Sequence, residues 1–337
     1  MAAFQLPAGI IAERFGGPLI LGLGTALAGI GYLAAGTSVG FGMLAGALIL
    51  GGLGSGVQHP IAANLVSLAY SGSRSRTALA RYNFSGDLGK MAFPAATAWL
   101  ITLMPWRAAT MAIGLVGLLA ALAILVVGGL PSYRGISKAA SSQPPIATAA
   151  PRARGFWLLL AIAMTDSATR MGFLTFLPFL LKMKGADMPT IGIALTLIFT
   201  GAAGKLVCGW LGARLGVVRA TFVTEGLTAA GILLLPLPLI AGLTMLPLIG
   251  MALNGTSSVL YGTVPELVPA RKRQRAFSIF YTGGVGAGAL APVLYGLASD
   301  LADVPTMMLL VAAVVLVTLP LAWRLGAHLH QRGASDC

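Results

Sequence analysis

Asp166 and Arg170 stand four residues apart in 155–181, an otherwise uncharged apolar stretch. That spacing puts both on one helical face, and a mid-span charge is costly enough that the pair must face protein or a water-filled cavity. A carboxylate beside a fixed cation can take up and release a proton, and the guanidinium can attract an anion; alternatively, the two neutralise each other between packed helices. Asp87 and Lys90, three apart, share a face in the same way. They read as a neutralised structural pair, or as a pair in which Asp87 titrates. His59, just before Pro60, is either hydrogen-bonded to a neighbouring helix or a functional ionisable group. Asn254, Thr256, Ser257, Ser258 and Tyr261 form a polar row suited to lining a cavity or packing helices. Lys205 and Glu225 fall toward the ends of their spans, where a lysine snorkels to the interface with Glu225 as partner. Phe173, Phe176 and Phe179 read as packing, with a binding pocket as the alternative.

Covalent chemistry finds little to work with. Ser55 and His59 are four apart on one helix, but the G-x-S-G pattern of an intramembrane serine hydrolase fails because Leu53 occupies its first glycine position. Metal-ligand clusters and phosphate-cradling glycine loops are absent from the sequence, so no cofactor is expected and an ion gradient is the expected energy source. The chain does not read as an enzyme. Two cysteines, Cys208 and Cys337, cannot build a disulfide framework.

The elements that must position these groups are membrane helices. The chain is 57% hydrophobic and 9% charged, with a mean hydropathy of +0.88, far outside the range of a soluble domain. Apolar runs long enough to span a bilayer lie near 18–36, 41–64, 84–104, 108–130, 155–181, 190–212, 219–240, 243–265, 276–298 and 305–323, with 1–12 as the tail of another. Ser71–Arg81 reads as a basic loop. With the spans alternating, 16 of the 22 Lys and Arg fall on one side, which the positive-inside rule makes cytoplasmic. The net charge of +13 is thereby accounted for without nucleic acid.

The chain is also duplicated. Gly9-Ile10-Ile11-Ala12-Glu13-Arg14-Phe15-Gly16 returns 200 positions later as Gly209-Trp210-Leu211-Gly212-Ala213-Arg214-Leu215-Gly216, a hairpin between apolar segments each time. After it, Gly86 matches Gly284 and Pro94 matches Pro292. Projecting the period backward predicts that the first helix and part of the second are missing before Met1.

Gly9, Glu13, Arg14 and Gly16, echoed by Gly209, Arg214 and Gly216, resemble the signature loop of the major facilitator superfamily. The run Gly52-Leu53-Gly54-Ser55-Gly56-Val57-Gln58-His59-Pro60, followed by Asn83 to Pro94, resembles fosmidomycin-resistance-type exporters. The resemblance implies an all-α membrane protein of the major facilitator fold, two six-helix bundles working by alternating access. The implied divisions are 1–130 for the incomplete N-terminal bundle, 131–154 for a cytoplasmic linker, 155–325 for the C-terminal bundle and 326–337 for a cytoplasmic tail. It further implies a monomer in a bacterial inner membrane, its partners being the lipid bilayer, protons and a small-molecule substrate. Proton-coupled efflux of a drug-like or anionic molecule is the expected function, with proton-coupled uptake of an organic anion or nutrient as the alternative. The substrate and proton pathway would comprise His59, Asp87, Lys90, Asp166, Arg170, Asn254 and Tyr261.

Overall fold

The computed structural model describes residues 2–70, 72–129, 150–201, 204–235 and 237–329, and all its regular structure there is helical. In chain order the helices are α1 (Ala2–Phe15), α2 (Gly17–Gly36), α3 (Phe41–Gly56), α4 (Gln58–Ala69), α5 (Gly72–Leu103) and α6 (Trp106–Gly128). The second half supplies α7 (Ala150–Met183), α8 (Met188–Thr200), α9 (Gly204–Leu234), α10 (Leu239–Leu267), α11 (Arg273–Leu301), α12 (Val304–Leu316) and α13 (Thr318–Leu329). Among the described residues, seven helical segments are long and apolar enough to cross a membrane. Their outward faces are greasy: Leu115, Leu119, Leu122 and Val126 of α6 are all more than half exposed. A soluble fold would bury such a stripe, whereas hydrocarbon solvates it.

Glycine sets the close helix contacts. A Cβ on Gly31 of α2 would come 2.5 Å from the Gly51 backbone nitrogen of α3, and one on Gly29 would come 2.8 Å from the Gly114 carbonyl of α6. Neither neighbour is a side chain that can swing away, so α2 is held between two backbones. Gly29→Ala is expected to lower the detergent-solubilised melting temperature by roughly 2–10 °C, as overpacking of about 1–3 kcal/mol would. Circular dichroism or a thiol-independent dye melt reads this directly; an unchanged midpoint would mean the helices separate without cost.

The chain turns where the sequence lacks a side chain or a backbone N–H. Gly16 and Gly216 have φ of 96° and 79°, in the left-handed region that favours glycine. The hairpins are tighter than the motif suggests, because Gly9–Phe15 and Gly209–Leu215 remain helical and the backbone departs from helical geometry at the final glycine. Between α3 and α4 the break falls at Val57. Pro60 lacks the N–H that would bond the Gly56 carbonyl one turn back, which accounts for an interruption there. Asp303 caps α12 by accepting a 2.6 Å hydrogen bond from the Thr306 amide.

Ser71–Arg81 is where the reading needs correcting. From Gly72 onward this basic stretch is the start of α5, which runs unbroken to Leu103. Its arginines lie on one continuous helix with the span expected at 84–104 instead of forming a loop. Of the linker expected at 131–154 and the tail expected at 326–337, residues 131–149 and 330–337 lie outside the described residues, while 150–154 begin α7 and 326–329 end α13.

The chain divides into two compact units. Unit 1 holds Met1–Ser71, Ser85–Ile146 and Pro269–Thr282; unit 2 holds Gly72–Phe84, Ala147–Val268 and Gly283–Cys337. Each unit therefore includes a short helical segment from the other sequence repeat, the start of α11 in unit 1 and the start of α5 in unit 2.

Candidate functional site

Unit 2 contains a buried polar cluster that begins with Asp166 and Arg170 of α7. Asp166 is 3% exposed, and its carboxyl is in hydrogen-bond contact with that of Glu225 on α9. Arg170 and Lys205 both act electrostatically on Asp166. Thr256 of α10 also acts on Glu225, and its hydroxyl donates to Thr224 Oγ1 at 2.8 Å. Helix arithmetic explains the convergence. Lys205 and Glu225 stand 11 and 9 residues either side of the Gly216 turn, so at about 1.5 Å per residue both lie roughly 13–17 Å along their helices, at matching depth.

Lys205 is thus not a snorkelling lysine: it is 4% exposed, and Glu225 is 1% exposed. The cluster brings together two carboxyls and two cations. Carboxylates only accept, so the two carboxyls can bond to each other only when one of them carries a proton. With that proton the four groups sum to +1; without it they sum to zero. Several polar atoms around them are buried without a hydrogen-bond partner among the described residues: Arg170 Nε, Glu225 Oε1 and the hydroxyls of Thr169, Thr221, Thr228 and Ser258. Such atoms are costly to leave unmet, and water or a polar solute is what satisfies groups of this kind.

The other candidate residues are distributed around both units. Asn254 is buried on α10 and donates from Nδ2 to the Gly250 carbonyl of its own helix at 2.9 Å. Tyr261, about two turns further along the same face of α10, acts electrostatically on Tyr82 of α5. His59, in unit 1, stacks on Tyr281 of α11, with ring centroids 5.5 Å apart and an 18° interplanar angle. Asp87 is half-buried on α5, while the side chain of Lys90 lies outside the described residues, so their pairing is not described.

The hairpin motifs make two kinds of contact. Gly9 of α1 packs directly on Ser278 of α11, and Gly209 of α9 packs on Ala80 of α5, each without room for a Cβ. Glu13 and Arg14 are exposed, with Arg14 over Phe15; Arg214 lies 4.5 Å over the Trp210 ring. The ion pair at this end of unit 2 joins Arg76, which falls in the stretch expected to be a basic loop, to Glu266, for which the sequence offered no role. Arg76 of α5 grips Glu266 of α10 with two bonds, Nε to Oε1 at 2.5 Å and Nη2 to Oε2 at 2.8 Å, and donates from Nη1 to the Gly212 carbonyl at 2.8 Å. An offset of 198 maps Arg76 onto Gln274, and Gln274 bonds Asn64 at 2.8 Å in unit 1. The repeat thus yields one charged clasp and one neutral clasp.

Comparison with known proteins agrees with this architecture. The family model of the Major Facilitator Superfamily matches residues 1–265 and again 159–334. Over 148 residues the chain is 28% identical to the gentisate transporter of Corynebacterium glutamicum, a match covering 42% of this chain and 33%, about a third, of that relative. Among solved structures, the human organic anion transporter MFSD10 superposes with a TM-score of 0.77 at 16% identity, covering 95% of this chain and 82% of that one. The Escherichia coli fucose:proton symporter gives 0.69 at 13% identity, covering 95% and 87%. An all-helical fold, buried mid-helix charges and a family model matched along both repeats lead to one assignment: this chain is a multi-pass membrane protein belonging to the major facilitator superfamily of secondary transporters.

Proposed function

We propose that this protein carries a small organic anion across the membrane together with a proton, the proton residing on Asp166 and Glu225 and the anion being drawn by Arg170 and Lys205. One observation carries the reading, the contact between the two carboxyls. With a proton and no anion the cluster is at +1, and with neither or with both it is neutral. A neutral cluster is much cheaper to keep in a low-dielectric interior than a charged one. Proton and anion therefore reinforce each other's binding, the linkage that defines symport. The gentisate carried by the C. glutamicum relative is an aromatic carboxylate, which supports the same substrate class.

This charge logic favours uptake driven by an inward proton gradient. Efflux by exchange against protons is the second reading, favoured by the resemblance of Gly52–Pro60 to exporters. The two differ in sign and can be separated in proteoliposomes loaded with radiolabelled aromatic carboxylates. For one-to-one symport, a one-unit inward-acid gradient supports up to about ten-fold accumulation, since one pH unit is worth about 1.4 kcal/mol. Because H+ and A− cross together, a valinomycin-clamped potential should leave that ratio unchanged. Gradient-driven loss of anion instead of accumulation would identify exchange, and a carboxylate that never responds to the gradient would remove the proton from the mechanism.

A further inference from the structure

At the end of unit 2 where the chain turns at Gly216, three helices leave an open groove of about 900 Å³. Its walls are the first turns of α7 with Arg154 and Trp157, Val218 just beyond the α9 turn, and the end of α13 with Trp323, Arg324 and His328. The helices meet closely beneath it: a Cβ on Gly155 would come 3.2 Å from His328 Cβ, and one on Gly326 would come 3.1 Å from Val218 Cγ2. Trp157 and Trp323 are 58% and 71% exposed, and both arginines are exposed beside them. Among the described residues, neither Arg154 nor Arg324 is paired with a carboxylate.

We infer that this groove is a binding site for an anionic phospholipid, the phosphate held by Arg154 and Arg324 and an acyl chain lying along Trp157, Leu158 and Trp323. The composition matches the chemistry of the interface. Tryptophan is enriched at headgroup depth because its ring is apolar and its N–H is polar, and paired arginines match phosphate oxygens in fixed fork geometry. A zwitterionic lipid would leave the two guanidinium groups without a net counter-charge. In the topology given by the charge bias, this end faces the leaflet rich in anionic lipid. α13 is amphipathic in the sense the site needs: Ala322, Leu325 and Gly326 are buried, and Trp323, Arg324 and Ala327 face outward. The same α7 whose first turns wall the groove carries Asp166.

Tryptophan quenching tests this with the full chain in mixed vesicles, after Trp99→Phe, Trp106→Phe and Trp210→Phe leave emission to the two groove residues. Bromine-labelled phosphatidylglycerol should quench at lower mole fraction than bromine-labelled phosphatidylcholine. Each arginine near an anionic surface is worth roughly five-fold in partitioning, so Arg154→Gln with Arg324→Gln should cut the preference at least five-fold and each single variant by less. Arg219→Gln, an exposed arginine outside the groove, should leave it unchanged. Equal quenching by both lipids, a preference that survives the double variant, or one that falls as far in Arg219→Gln would overturn the assignment. So would inorganic phosphate in detergent displacing the lipid at millimolar concentration, which would make the groove a site for free anion.

Discussion

Asp166→Asn is expected to reduce gradient-driven accumulation of substrate to equilibration, an accumulation ratio near one, while leaving anion exchange measurable. A carboxamide occupies nearly the same volume as a carboxylic acid and can still donate to Glu225, so the contact and the packing are kept. The group can no longer lose a proton in the working pH range. With Arg170 and Lys205 cationic and Glu225 ionised, the cluster then stays at +1 in the empty state and becomes neutral when an anion binds. Anion affinity is kept or raised, and the empty carrier becomes the costly form. Net transport needs the empty carrier to return, whereas exchange does not. Counterflow and pH-driven uptake, measured on the same proteoliposomes, should therefore diverge in Asp166→Asn and again in Glu225→Gln. Arg170→Gln should give the opposite pattern, losing both modes by ten-fold or more because the anion's partner is gone. Undiminished accumulation in both carboxamide variants would rule out this pair as the proton site.

The parts of this mechanism differ in how far the sequence exposes them, for physical reasons. Spans follow from hydropathy because hydrocarbon thickness fixes the length of an apolar helix, and α2, α6 and α10 fall close to the expected ranges. Gly16 and Gly216 announce the turns because the left-handed backbone there favours a residue without Cβ. Asp166 and Arg170 stand out locally, four apart in the otherwise uncharged stretch 155–181 of α7. Glu225 does not, since its importance comes from a partner 59 positions away. Counting from Gly216 would have placed it and Lys205 at one depth and exposed the cluster. The basic start of α5 misleads in a different way, because charge density suggests a loop while the arginines in fact lie on one continuous helix with the span expected at 84–104. Arg76 and Glu266 are separated by 190 positions, and the repeat offset of 198 identifies the mate of Arg76 as Gln274, not its partner.

Glu266→Gln should shift the protein toward a form in which the start of α5 is released from α9 and α10. In unit 2 this docking has little slack: Ala80 fills the space over Gly209, Arg76 lies 3.1–3.2 Å from where a Cβ on Gly262 would sit, and the Arg76 fork takes both carboxylate oxygens. The two side chains are 19% and 17% exposed, so the pair is only partly screened. Losing one partner leaves the other charge half-buried, a cost of about 1–3 kcal/mol after allowance for that exposure. On a two-state equilibrium this is roughly a 5- to 150-fold change in population. Alternating access requires contacts between the two repeats to break in one state, and a charged clasp between α5 and α10 is a contact of that kind. The thiol introduced by Asn83→Cys, on a Cys208→Ser, Cys337→Ser background, reports the change, because Asn83 is only 8% exposed. Its labelling by a water-soluble maleimide should quicken at least five-fold in Glu266→Gln and in Arg76→Gln. The double variant should label no faster than either single one, since each removes the same interaction. Additive effects, or labelling that ignores both substitutions, would mean that the glycine contacts hold α5 and that the ion pair only decorates them.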